Sequence, residues 1–108
     1  MIDLVELENS IAKRSKRFRT FDNRDEESRY MALALSGEVG EMLNIVKKHW
    51  RGDTPSVNGK ALLDEASDIF IYWVLFCHAH GWTIQRVMEH ADQKAERKII
   101  ALEAERNG

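Results

Sequence analysis

The chain has 108 residues, 12.5 kDa and 44% apolar side chains, which suits one domain with one core and leaves two independent domains improbable on size. Although 31% of its residues are charged, 16 basic and 18 acidic side chains nearly cancel to a formal net charge of -2 and a pI near 6.1. That balance argues against general attraction to nucleic acid or to an anionic membrane.

Helical spacing recurs from end to end, glycine and proline are scarce, and no stretch of strand length alternates apolar with polar residues. The expectation is an all-α chain of four helices forming a small bundle over residues 1–108. The opening residues Met1 to Glu6 are acidic and amphipathic, unlike the basic start and apolar stretch of a signal peptide, so the mature chain is expected to begin there. The first helix follows Asp3, with Glu6 three residues on as in a capping box. It carries Leu4, Leu7, Ile11, Ser15 and Phe18 on one stripe and is expected to end near Phe18.

The second helix begins after Asn23. Asp25, Glu26 and Glu27 suit the positive end of the helix dipole, and Lys47, Lys48 and His49 suit the negative end. Residues 51–58 hold the single proline, Pro55, and have the composition of an exposed loop, with Asn58 the expected cap of helix three. That third helix should run to about Ala79, where Gly81 can take the left-handed conformation that ends it. Thr83 then starts a fourth, with Ile84, Met88, Ala91, Ala95 and Leu102 as its inner stripe.

Ile69 to Cys77 is the longest apolar run, less than half of the roughly 20 residues that span a bilayer. It reads as core. Because the run is apolar around the whole helix, every face needs cover, and in so short a chain this points to a homodimer or a dimer of dimers, that is, a homotetramer. Cys77 is the single cysteine, so no intrachain disulfide or Cys-x-x-Cys site exists, and a reducing cytoplasm is the expected location.

Four acids break the inward pattern. Glu38 and Glu41 share a face of helix two with Met31, Ala34 and Ile45, while Glu65 and Asp68 share a face of helix three with Ala61, Tyr72 and Leu75. A lone Glu-x-x-Glu ordinarily marks a solvated face. Two acidic pairs on inward faces are costly to a core unless they hold protons or surround cations. Carboxylate oxygens favour hard Mg²⁺, or Mn²⁺, as the bound ion. A di-iron centre of the Glu-x-x-His type does not fit, since none of the four histidines has a glutamate three residues before it.

Glu38-Val39-Gly40-Glu41, within Leu33 to Glu41, and Glu65-Ala66-Ser67-Asp68, within Glu65 to Tyr72, resemble the paired Glu-x-x-Glu and Glu-x-x-Asp motifs of the MazG-like all-α nucleoside triphosphate pyrophosphohydrolases. The likeness extends over about residues 30 to 98. It implies a Mg²⁺-dependent, four-helix enzyme that splits a (deoxy)nucleoside triphosphate between its α- and β-phosphates into monophosphate and pyrophosphate. Glu38, Glu41, Glu65 and Asp68 would hold the metal, and Glu38, in preference to Glu41, would serve as general base.

Helix four of that family adds polar and basic residues, and Asp92 to Lys98 looks like a variant in which Asp92 stands for an asparagine. Lys94 and Arg97 there, together with Lys47, Lys48 and Trp50 at the end of helix two, are the candidate substrate contacts; each also has an ordinary surface or dipole role. Members of the same superfamily that act on phosphoribosyl-ATP or dUTP share the acid cluster and are the alternative reading. A non-catalytic helical oligomer stabilised by a bound cation is the alternative of a different class.

Overall fold

A computed structural model describes residues 1–54 and 59–108, and among these it contains four helices and no strand. Helix α1 spans Leu4–Ser15, α2 Arg24–Trp50, α3 Gly59–Ala79 and α4 Ile84–Asn107. The all-helical expectation holds, whereas Pro55 and the proposed cap Asn58 lie outside the described residues.

Side chains satisfy the free donors of three helix starts. Asp3 accepts from the backbone N–H groups of Val5 (2.9 Å) and Glu6 (3.1 Å), Asn23 from Glu26 (2.8 Å), and Thr83 from Arg86 (3.1 Å). Two glycines in the left-handed region turn the chain out of its helices: Gly52 at φ 83° and Gly81 at φ 74°. Beyond each, an N–H returns to the helix it leaves, Asp53 to the Lys48 carbonyl and Trp82 to that of Cys77, both at 2.9 Å.

Helix α1 stops earlier than its apolar stripe suggested. After Ser15 the bonds tighten, Arg17 donating to the Arg14 carbonyl (3.1 Å) and Phe18 to that of Ser15 (3.0 Å). This shorter repeat carries Phe18 off the stripe, and its side chain is 90% exposed.

Helices α2 and α3 run antiparallel, since Ser28 near the start of α2 bonds His80 just beyond the end of α3 (2.8 Å) while Glu38 lies beside Glu65 and Asp68. Helix α1 packs against α3 and meets the root of α4. The core joins Ile11, Met31, Val74, Leu75 and Ile84, flanked by Leu4, Leu7, Phe21, Tyr30, Tyr72, Trp73 and Phe76. Buried Glu8 ties α1 to α4, its Oε2 accepting from the Ile84 N–H at 3.4 Å.

Only the root of α4 joins this core. Met88, Ala91, Ala95 and Leu102, expected to face inward, are exposed in the single chain, as is every residue from Met88 onward. Placement supplies the reason: α4 touches α1 at its root and packs along neither α2 nor α3, so its later turns have no neighbour within the chain. The radius of gyration is accordingly 17.8 Å, against about 13 Å for a compact chain of this size. No described helix is long and apolar enough to cross a membrane.

Candidate metal centre

Near the middle of α2, Glu38 projects toward α3, where Glu65 and Asp68 stand one turn apart and so share a face. One carboxylate oxygen from each of the three lies within 4.8 Å of the others. Glu38 and Glu65 are half-buried, and the Oε2 atom of each is shielded from solvent with no hydrogen-bond partner. Two such oxygens cannot satisfy one another while both are ionised.

The electrostatics reflect this crowding. The Glu38 carboxyl is pushed up to about 7 from its ordinary 4.5, first by the Glu65 carboxyl, which it can meet only by keeping a proton between them. Burial and the negative charges of Glu41 and Asp68 push the same way. Without a cation, the cluster therefore retains a proton near neutrality. The Tyr72 hydroxyl is also raised, by burial first, then by Tyr30 and by the charges of Glu38 and Asp68. Tyr72 thus borders the site. Its place four residues after Asp68, on the same face, was the available sequence signal.

Three of the four expected ligands converge and the fourth does not. Glu41 is exposed, one turn beyond Glu38, and adds its charge without joining the group of converging oxygens. Lys47, Lys48 and Trp50 are exposed at the far end of α2, and Lys94 and Arg97 on the bare part of α4. Among the described residues no ion pair links any of these cations to the acids. Beside Glu38, a Cβ added to Gly37 or Gly40 would meet nothing within 4 Å, so the α2 backbone is open to approach there.

The donor set suits a small hard cation. Three carboxylates offer oxygen ligands only, and a divalent ion would compensate their charge and occupy the orphaned oxygens that otherwise need a shared proton. No family model, curated protein or solved structure matches the chain.

Proposed function

We propose that the chain is a Mg²⁺-dependent pyrophosphohydrolase of the MazG-like kind, converting (deoxy)nucleoside triphosphates to the monophosphate and pyrophosphate. The observation that carries this reading is the convergence of Glu38, Glu65 and Asp68 around shielded, unpartnered oxygens. Those three residues would hold Mg²⁺, or Mn²⁺, with Glu41, one turn along α2, as the further ligand. Such an ion supplies neutralisation of phosphate oxygens and acidification of the attacking water.

The protein groups then have distinct parts. Glu38, freed of its shared proton when the ion binds, accepts the proton of the attacking water; Glu41 is the reserve for that part. The bare backbone at Gly37, one turn before Glu41, leaves room for a phosphate group on that side of α2, and Gly40 leaves another face of the helix open to close approach. Lys47, Lys48, Lys94 and Arg97 supply positive charge to the triphosphate, and Trp50 offers a ring to the base. Since α4 stands away from the acids of its own chain, Lys94 and Arg97 act within a homodimer or dimer of dimers, whose assembly also covers the α4 stripe. The protein works as one domain in the reducing cytoplasm.

The uncovered α4 stripe favours a second reading, a helical oligomer that uses the cation for stability alone. Incubation with Mg²⁺ and a panel of triphosphates, dUTP and phosphoribosyl-ATP included, separates the two. Pyrophosphate and monophosphate in equal amounts from at least one substrate, lost in Glu65→Gln and Asp68→Asn, support the enzyme. Release of orthophosphate, or no hydrolysis of any substrate, contradicts it.

A further inference from the structure

A cavity of about 210 Å³ lies where the end of α1 and the following turn meet α2 and α3. Its floor is apolar, formed by Ala12 and Leu75, and its walls carry Ser15, Lys16, Arg19, Thr20, Glu27 and His78. Lys16 and Arg19 are cations and Glu27 is the single acid in the lining, while His78 stands 4.0 Å from the Glu8 carboxylate behind it, so the walls lean positive through Lys16 and Arg19 in a protein of net charge -2. The cavity is remote from the acid cluster, because Asp68 and His78 are about 15 Å apart along α3 at 1.5 Å per residue.

Arg19 is the telling residue. Its guanidinium carbon lies 4.3 Å from the centroid of the Tyr30 ring and 5.5 Å from that of Phe21, so two aromatic rings hold the group in place. Among the described residues no carboxylate forms an ion pair with Arg19 or with Lys16. The dipole of α1 does not account for them either, since Lys13 and Arg14 already occupy its last turn. A fixed guanidinium with its in-plane donors free, beside a second cation and two hydroxyl groups, is built to receive an oxyanion.

We infer that this cavity binds a phosphate group, free or carried by a small molecule. Donors approach from α1, from the turn after it and from α3, which suits a tetrahedral anion with several oxygens better than a planar carboxylate. The volume falls below the range of about 300 to 1,000 Å³ usual for drug-sized ligands and so limits the occupant to a small group. Glu27 weakens the attraction and sets the affinity.

The test is titration of the full chain with inorganic phosphate in a chelating buffer of low ionic strength, followed by ¹⁵N-edited NMR. Saturable shifts confined to the amides of residues 15–21, to those around Glu27 and His78, and to the Arg19 side chain are expected. Arg19→Gln should weaken binding by about tenfold or more, as loss of a charge-assisted fork does, and Glu27→Gln should tighten it several-fold. The second variant removes no cation and no aromatic contact, so it remains informative if Arg19→Gln unfolds the chain. Parallel titrations with pyrophosphate and a nucleoside monophosphate identify the source: saturation by any of the three supports the site. Glu65→Gln should bind as the parent does, which separates this site from the metal centre and from the proposed hydrolysis. Diffuse shifts without saturation, or an affinity unchanged in both Arg19→Gln and Glu27→Gln, would overturn the inference.

Discussion

Glu38 and Glu65 meet with one unpartnered oxygen each, and the proton that relieves them has a definite consequence for stability. Below pH 4.5 the Glu38 carboxyl is protonated in folded and unfolded chains alike. Between 4.5 and about 7 the unfolded chain ionises while the folded one keeps its proton, so stability falls as pH rises through that window. In chelator, the melting temperature should drop between about pH 5 and about pH 8, and Glu38→Gln should flatten that drop. Magnesium should raise the melting temperature more at the upper end of the range, because the ion must displace the proton. An equal pH slope in the parent and in Glu38→Gln, measured by calorimetry, would contradict the shared proton. The acids themselves were legible in the sequence because charge interrupted an apolar stripe. The outward turn of Glu41 was not: a spacing of three places two residues on one face, yet only the nearer of the two reaches the neighbouring helix.

The helix starts were the most legible elements, since Asp3, Asn23 and Thr83 each cap as their residue types suggest. Asp3→Ala should cost about 1 kcal/mol in chemical denaturation, the usual worth of a cap. The end of α1 was less legible, because the stripe through Phe18 continued past the point where hydrogen bonding changed register. Helix α2 offers a sharper test. Gly37 and Gly40 face open space within one chain, so alanine at either position should stabilise the isolated fold by about 0.5 to 1 kcal/mol. If those same variants lose triphosphate hydrolysis, a substrate or a second chain occupies the space. Full activity together with the gain in stability would remove any role for these glycines in the site.

On the scale of the whole molecule, the apolar circumference of α3 argued for a partner, but its pattern did not say which surface the partner would cover. The fold gives that question a location: Met88, Ile99, Ile100 and Leu102 on α4 are all about half exposed or more, and Leu33 and Leu63 are more exposed still. Helical periodicity identifies the apolar face of α4 without indicating that the helix leaves its neighbours after the first turn. Light scattering on the purified chain should give a mass of at least two protomers of 12.5 kDa, and Ile99→Glu with Leu102→Glu should lower it. A monomer at micromolar concentration would mean that the stripe stays bare.

Titration with Mn²⁺ followed by electron paramagnetic resonance tests the metal centre most directly. The free-ion signal should be depleted by the parent chain, with Mg²⁺ competing, and binding should be lost in Glu65→Gln and in Asp68→Asn while the helical circular dichroism persists. Undiminished binding in both variants, or none in the parent, would show that these carboxylates do not hold the ion.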